Sequence, residues 1–567
     1  MKRIINLVLI IGFCLAAKAN GIKIGNLCYE LNSLGLTATV TCQSEFGNSN
    51  YVAGDVIIPP TVIYGGNEYT VNEIGNNAFI NCNELRSIEL PNTILNLRFG
   101  AFCGCQKLER IKMSENIRTI GNQCFDDCYE LNSIEIPSSV SKIGFSAFQD
   151  CKNLKAVYIS NIEDWCRIDF DGSNPLTYAH HLIVNGKEMT EVDFPSMLTK
   201  VKPYTFEGGN FTRITLHSNV TSIGACAFAA CRELKEFEIP SSVNSIDEIA
   251  FASCSALEEI IIPNSVKTLG YSAFSSCSNL KKVILSQNLT EIQHSTFSDC
   301  INLTDIKLPE GINKIGYEAF KDCQSLPHIN VPSGVTEIGS SAFYRCRALS
   351  SIEIGEDVSS IGNFAFYECY NLKDVYINNL ENWFNIRMGE YNSNPLYYAA
   401  NPLIFASHLF LDGTELTDLQ IPETVWWINS YAFYGCKNLK SISFPIKILY
   451  IGEYAFANSE DIETLYCEFH PFYCQENIFA PQVYEAAELI VPTGWEGLYK
   501  EIDPWNKFKN IESRDYSSVR YIDNCTEEKV TVYSIGGRKI LDKVSKEELR
   551  NLSPGLYIIN GHKTLIK

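Results

Sequence analysis

Apolar residues return along most of the chain with a period of 23. Aliphatic residues, which we call heads, begin successive units, and Phe follows each of fourteen heads by five residues. These Phe residues lie at positions 79, 102, 125, 148, 206, 228, 251, 274, 297, 320, 343, 366, 433 and 456. The residue before each Phe is Ala, Thr or Cys, and twelve units carry Cys three residues after it. Such a period predicts a solenoid, in which stacked units bury a continuous core.

Each unit continues with a Leu-x-x-Ile-x-Ile pattern that Pro often closes, as in Leu131 to Pro137. Alternating apolar residues point to one side of a strand, so stacked units place these strands side by side in a parallel sheet. The short Ala-Phe-x-x-Cys segment predicts one helical turn on the opposite side, with Phe in the interior. Gly follows nine of the fourteen heads, which predicts a backbone of positive φ there. The predicted fold is an α/β repeat with a parallel sheet face and short helical turns opposite.

Two longer stretches, near 160–200 and 380–427, interrupt the period and resemble each other. The segment around Trp165 reads NIEDWCRIDF, and the one around Trp383 reads NLENWFNIRM. We interpret both as enlarged variant turns of the same coil. The matched Trp residues either fill these wider turns or contact a ligand.

The first residues carry the pattern of a secretory signal peptide. Lys2 and Arg3 precede an apolar run, and a small-x-small site ends at Ala19. This predicts a signal peptide over 1–19 and a mature chain that begins at Asn20. The apolar run is too short for a membrane span, and no later stretch reaches the roughly 20 residues that a span requires. We therefore expect an exported chain without a transmembrane segment.

Each end of the solenoid is predicted to be capped. Residues 20–73 alternate apolar and polar positions between turn residues, which predicts β-hairpins over the first coil. Cys28 and Cys42 would face each other across a hairpin, where they either form a disulfide or stay thiols. Residues 467–514 form the C-terminal cap, with Trp495 and Trp505 over the core edge. A β-rich module over 515–567 follows.

The pattern I-G-x-x-A-F-x-x-C-x-x-L-x-x-I-x-I-P over about 74–466 is similar to the BspA-like leucine-rich repeats of bacterial surface proteins. The last module resembles the C-terminal sorting domain of type IX secretion, and its alternative is an ordinary β-rich end domain. The residues that carry this second resemblance are Val532, Tyr533, Gly537, Gly555, Leu556, Tyr557 and Lys567. The two resemblances imply a protein that bacterial export machinery secretes or displays on the cell surface, and that binds host proteins, matrix or other cells.

Charge and motifs narrow the function classes. A formal net charge of −20 opposes binding to nucleic acid phosphates. The chain has no Cys-x-x-Cys pair, and its eight His show no metal-ligand spacing. Gly-x-Ser-x-Gly, a P-loop and a dinucleotide fingerprint are also absent. We therefore expect no metal, no cofactor and no enzymatic activity.

One strand position in each unit is predicted to face solvent, between the two aliphatic residues. This face column contains Glu89, Lys112, Glu135, Tyr158, Thr215, Glu238, Ile261, Ile284, Lys307, Asn330, Glu353, Tyr376 and Ser443. Ile261 and Ile284 occupy adjacent turns and are candidates for the centre of a protein-binding patch, although exposed aliphatic residues also occur singly without a function. Tyr158 and Tyr376 precede the variant turns and are candidates for stacking on a sugar or a peptide.

The sequence therefore favours adhesion to, or recognition of, a macromolecular ligand. A glycan-binding protein or a structural surface spacer is the alternative, and an enzyme with its site in the variant turns or end module is a remote one.

Overall fold

The computed structural model describes residues 21–42, 52–389, 400–475 and 477–514, together with 520–521, 530–533, 539–544, 552, 555–559 and 562–566. The predicted signal peptide and its cleavage site between Ala19 and Asn20 lie outside the described residues. The chain divides into two compact units, one of residues 1–288 with 299–301, the other of residues 289–298 with 302–567. Each is a solenoid of parallel strands.

Hairpins begin the first unit. Its first strands are Ile22–Ile24, Leu27–Asn32, Thr37–Thr41, Gly54–Ile57, Thr61–Tyr64 and Asn67–Ile74. Leu27–Asn32 pairs antiparallel with both Ile22–Ile24 and Thr37–Thr41. Asn67–Ile74 then pairs in parallel with the next coil, Asn96–Leu97. Because this strand ends at the first head, the hairpin sheet continues directly into the solenoid and covers its first coil.

Most coils of the first unit contribute two kinds of strand. Head strands are two residues long and end at a head, or at Phe170 in the first variant turn: Asn96–Leu97, Thr119–Ile120, Lys142–Ile143, Asp169–Phe170, Lys200–Val201, Ser222–Ile223, Ser245–Ile246 and Thr268–Leu269. Face strands carry the face column: Leu85–Glu89, Arg110–Lys112, Ser133–Glu135, Ala156–Ile159, His181–Val184, Glu191–Asp193, Arg213–Thr215, Glu259–Ile261 and Lys282–Ile284. Lys187–Glu188 returns on His181–Val184 as a hairpin, and the helices are Ile162–Arg167 and Leu176–Ala179.

The second unit repeats this plan. Its head strands are Glu291–Ile292, Lys314–Ile315, Glu337–Ile338, Ser360–Ile361, Arg387–Met388, Trp427–Ile428 and Tyr450–Ile451. Its face strands are Asp305–Ile306, His328–Asn330, Ser351–Ile354, Asp374–Ile377, His408–Leu411, Asp418–Gln420, Ser441–Phe444, Thr464–Cys467, Glu488–Pro492 and Asn510–Arg514, with Thr414–Glu415 as a hairpin return. Helices cover Leu380–Asn385, Pro481–Ala486 and Glu496–Tyr499, and 3-10 turns cover Pro402–Ile404 and Trp505–Lys507.

The Phe column forms the interior of both units. All fourteen rings are at most 3 % exposed. Neighbouring rings stack almost in parallel, for example Phe79 on Phe102 at 5.2 Å between centroids and Phe320 on Phe343 at 5.5 Å. This confirms the interior position predicted from the sequence. It also explains the strictness of the column, because a ring missing from a stack leaves two neighbours without a packing partner.

The predicted helical turn at Ala-Phe-x-x-Cys is wrong: in the part of the chain that the structure describes, these segments are non-helical turns. Each has two residues in the left-handed region, such as Asn77 and Asn81 with φ of 54° and 56°. Left-handed residues interrupt an α-helix. The backbone N–H groups instead alternate between the next coil and their own turn: Phe79 donates to the carbonyl of Ala101 at 2.8 Å, and Cys82 donates to that of Phe79 at 3.1 Å.

The prediction of positive φ at the Gly after the head is also wrong. Gly121 and Gly339 are not among the residues with positive φ. They are needed for close packing: a Cβ on Gly121 would lie 2.6 Å from the carbonyl carbon of Arg98, and one on Gly339 would lie 2.6 Å from that of Gly316. Absence of a side chain here lets consecutive coils approach each other.

We call the twelve cysteines that follow a Phe of the column by three residues the ladder cysteines. They pack as small apolar side chains and also make hydrogen bonds. The buried Cys105 thiol donates to the carbonyl of Phe79 at 3.0 Å, one coil earlier, and Cys346 donates to Phe320 at 3.1 Å. Where Ser459 replaces Cys, its hydroxyl donates to Phe433 at 2.8 Å. The column therefore supplies a buried donor for each Phe carbonyl it meets.

Aromatic side chains close the core of the second unit near the predicted C-terminal cap. Trp505 is fully buried and donates its indole N–H to the carbonyl of Phe472 at 2.9 Å. Trp495 is half-buried against His470 at 5.7 Å. Five strands follow in the last module: Arg520–Tyr521, Val530–Tyr533, Lys539–Val544, Gly555–Ile559 and His562–Ile566. They form one sheet in which Val532 and Tyr557 are buried.

Candidate binding surfaces

The face strands hold the face column toward solvent. In Glu259–Ile261 and Lys282–Ile284 the central residues Ile260 and Val283 are 1 % and 3 % exposed. The alternation of a strand turns the following residue outward. Ile261 and Ile284 are therefore 53 % and 43 % exposed, and they are direct partners in the parallel register.

Charged side chains border this pair of Ile residues. Lys281 Nζ lies 2.8 Å from a carboxylate oxygen of Glu258, and Lys282 Nζ lies 3.6 Å from one of Glu259. These exposed ion pairs contribute little to stability. Their position makes a polar border beside an apolar centre, which is the arrangement of a protein-binding surface.

The two Tyr candidates have different surroundings. Tyr158 is 42 % exposed and pairs with Ile183 of the first variant turn. Tyr376 is half-buried, and its ring stacks on Phe410 at 4.7 Å with 20° between the planes. Phe410, which sequence reasoning missed, belongs to a face strand in the second variant turn. The stacked pair presents a nearly flat aromatic surface on the sheet face.

Trp165 and Trp383 are not surface residues. Each is 1 % exposed within a short helix. The Trp165 indole N–H donates to the carbonyl of Thr205 at 2.8 Å, and that of Trp383 donates to Ala432 at 3.1 Å. The prediction that they contact a ligand is therefore wrong, because both rings are buried and fill the interior of the wider turns.

Cys28 lies in the strand Leu27–Asn32, and Cys42 directly follows its neighbour Thr37–Thr41. Strand register places Cys28 opposite Thr41, the residue before Cys42. Both side chains are thiols in the structure, and burial raises the pKa of Cys28. A disulfide between them stays a prediction.

A second apolar surface, which sequence reasoning missed, lies beside the head strands of the second unit. We call Trp426, Trp427, Leu449 and Tyr450 the aromatic ladder; their side chains are 61 %, 60 %, 71 % and 46 % exposed. Trp427 and Tyr450 are direct partners in the parallel register, with ring centroids 6.4 Å apart and planes at 70°. The Trp427 indole N–H donates to Asn429 Oδ1 at 3.1 Å.

The sequence contained a signal for this ladder. The residue before the head is polar or charged in the other coils, as at Glu73, Asn96, Thr119, Lys142, Lys200, Ser222, Ser245, Thr268, Glu291, Lys314, Glu337, Ser360 and Arg387. Trp427 and Tyr450 break this rule in consecutive coils, and Tyr473 stands another 23 residues on, 70 % exposed. Phe456 and Phe479 pair in the same 23-residue register. Tyr473 therefore occupies the corresponding position of the next coil.

Among the carboxyls whose pKa is shifted, Glu207 and Asp126 show large upward shifts. Burial raises the pKa of Glu207 to about 7, and burial together with Asp127 and Asp150 raises that of Asp126 to about 6. Burial also raises the pKa of the ladder thiols such as Cys254, which keeps them protonated. Within the described residues, no group of three or more His, Cys, Asp or Glu is placed to hold a metal ion.

Each variant turn carries one His–Glu pair on its hairpin. His181 Nδ1 lies 2.5 Å from Glu188 Oε1, and His408 Nδ1 lies 2.6 Å from Glu415 Oε1. The pairs join the two strands of each hairpin, so they account for His181 as a structural residue. His180 Nδ1 likewise lies 2.7 Å from the carbonyl of Gly208.

The parallel strands, the stacked Phe column and the 23-residue coil define a leucine-rich-repeat solenoid. The chain belongs to the BspA type leucine rich repeat family, whose model matches residues 68–177, 183–304, 290–389 and 404–495. No curated protein matches the chain.

Solved structures of similar proteins are also leucine-rich-repeat proteins. One from Bacteroides ovatus ATCC 8483 is 22 % identical and covers 87 % of this chain and all of its own, with a TM-score of 0.44. A leucine rich cell surface protein from Faecalibacterium prausnitzii A2-165 is 24 % identical over 66 % of this chain and all of its own, with a TM-score of 0.43. Among the residues that the structure describes, no helix has the length and apolar character needed to cross a membrane.

Proposed function

We propose that this protein recognises a macromolecular ligand with the solvent-facing side of its face strands, centred on Ile261 and Ile284. The observation that carries the proposal is the direct pairing of these two exposed side chains, 53 % and 43 % accessible, beside two ion pairs. An apolar centre with a polar border is typical of a protein-binding surface. The leucine-rich-repeat family, whose fold typically serves as a binding scaffold, supports a recognition role.

The proposed location is the outside of a bacterial cell. The signal-peptide pattern over 1–19 supports export, and the resemblance of 515–567 to a sorting domain supports delivery by the type IX machinery. Adhesion to a host protein, to matrix or to another cell is the role that fits this location. The strongly negative net charge argues against a nucleic acid ligand.

A glycan ligand is the second candidate. Tyr376 and Phe410 support it, because their rings are stacked within 20° of parallel on the sheet face. Tyr158 presents another exposed aromatic side chain in the first unit.

The family's usual role as a scaffold favours binding over catalysis, so we expect no turnover. A substrate conversion that Glu207→Gln abolishes would contradict this.

The test uses the mature chain on a panel of matrix proteins and on a glycan array. The double variant Ile261→Glu with Ile284→Glu should fold normally, since both side chains are exposed, and should weaken binding to a protein ligand at least about tenfold. Thr215→Glu is the matched control, because it adds a charge to the same column away from the patch. Unchanged affinity of the double variant would remove the patch from the binding surface. Glycan binding that Tyr376→Ala abolishes would favour the second candidate.

A further inference from the structure

We propose that the aromatic ladder is a self-association surface on which a second copy of this chain docks. The ladder lies beside the head strands, so it is separate from the face column. Its members Trp426, Trp427 and Leu449 are each about 60–70 % exposed. Large side chains of this kind dominate the energy of protein interfaces when they become buried.

The fold does not require aromatic residues at these positions. In the first unit, the head strands that follow the variant turn carry Lys200 and Ser222 where the second unit carries Trp427 and Tyr450. Both pairs are adjacent partners in a parallel head sheet. The same local geometry is thus built with polar residues in the first unit.

The exposed area is close to what a dimer requires. With Ile446 (62 % exposed) and Tyr473 (70 %), the ladder presents six large apolar side chains on three successive coils. Taking roughly 150–250 Å² for each aromatic side chain, the exposed parts of the four aromatic residues amount to about 350–600 Å², to which Leu449 and Ile446 add. This is at the upper end of the largest apolar patches on monomers, about 300–600 Å². One partner contributes roughly 800 Å² to an interface of standard size.

Two features favour a second copy over another class of ligand. The rings of Trp427 and Tyr450 meet at 70°, so they do not form the flat platform on which a sugar chain stacks. Exposed charges of both signs flank the ladder residues in the sequence, namely Glu423, Lys447 and Glu453. A two-fold axis places identical patches against each other, and such a mixed rim is complementary to itself.

The test measures the mass of the full mature chain by sedimentation equilibrium from about 1 to 100 µM, where interfaces of modest size begin to dissociate. We expect concentration-dependent dimers, with a blue shift of Trp emission as the indoles become buried. The double variant Trp427→Ser with Leu449→Ser should raise the dimer dissociation constant at least about 100-fold, because a hot-spot side chain is worth more than tenfold and each change occurs in both copies.

Two further variants keep the result interpretable. Lys200→Ser, at the matching position of the first unit, should leave the dissociation constant unchanged. Lys447→Glu should raise it several-fold without affecting folding, and it carries the test if the double variant fails to fold. A wild-type chain that stays monomeric throughout the range overturns the proposal, as does a double variant that associates like wild type. A monomer that uses the ladder to hold a different protein or a glycan also overturns it. Because Ile261→Glu with Ile284→Glu should dimerise normally, failure here is distinct from failure of the proposed ligand surface.

Discussion

Removal of one ring from the Phe column should destabilise the second unit strongly. Phe320 is fully buried and lies between Phe297 and Phe343, with centroid distances of 5.6 and 5.5 Å and planes within 15° of parallel. Phe320→Ala leaves a cavity that costs about 3–5 kcal/mol. Loss of two stacked contacts, each worth about 0.5–1.5 kcal/mol, places the expected value at the upper end of that range.

Urea unfolding with hydrogen exchange as the local readout tests this expectation. Since coils interact mainly with their neighbours, protection should fall most at the backbone N–H groups of Phe297 and Phe320, which donate to Ala319 and Ala342. Tyr317→Ala is the control, because that side chain is 46 % exposed and its loss should cost less than about 0.5 kcal/mol. A loss below about 1 kcal/mol in Phe320→Ala would refute the interior stack as a source of stability.

Three other predictions concern single positions. Gly339→Ala should cost about 1–3 kcal/mol in urea unfolding, because its Cβ would lie 2.6 Å from the backbone of the previous coil; a neutral result would contradict the close approach. Cys346→Ser should be more stable than Cys346→Ala by about 1 kcal/mol, since only Ser keeps the bond to Phe320, and equal melting temperatures would show that this bond is unimportant. Burial raises the pKa of Glu207 from 4.5, its value in the unfolded chain, to about 7 in the folded protein. The unfolded chain therefore loses this proton at lower pH than the folded protein does, and the free energy of unfolding should fall as the pH rises from about 4.5 to 7. Glu207→Gln should remove that part of the pH dependence, and an unchanged profile would count against the burial of this carboxyl.

The repeating core could be predicted from the sequence because its cause is periodic. The buried ring of Phe274 stacks on that of Phe251, so the same packing requirement recurs in the sequence once per coil. The helical turn and the role of Gly121 could not be predicted in this way. Both depend on contacts between coils: every second backbone N–H group of the turn donates to the next coil, and the space at Gly121 is limited by Arg98.

The candidate surfaces were predicted in part. Exposure of Ile261 and Ile284 follows from strand alternation alone, and the structure shows them outward. Trp165 and Trp383 looked equally suited to filling space or to binding, and only the enclosing turns decide between these. Trp427 was not predicted as a surface residue because it lies outside the face column, although the residues before the heads of other coils are polar.

The cysteine column gives this protein a built-in set of local probes. Every ladder thiol from Cys82 to Cys436 is buried, and each belongs to a different coil. The thiols of Cys105 and Cys346 also donate hydrogen bonds to backbone carbonyls. A thiol reagent can reach such a group only when its own coil opens. Mass-resolved alkylation of the unmodified chain would therefore report the opening rate of twelve coils separately, and show where along the repeat array unfolding begins.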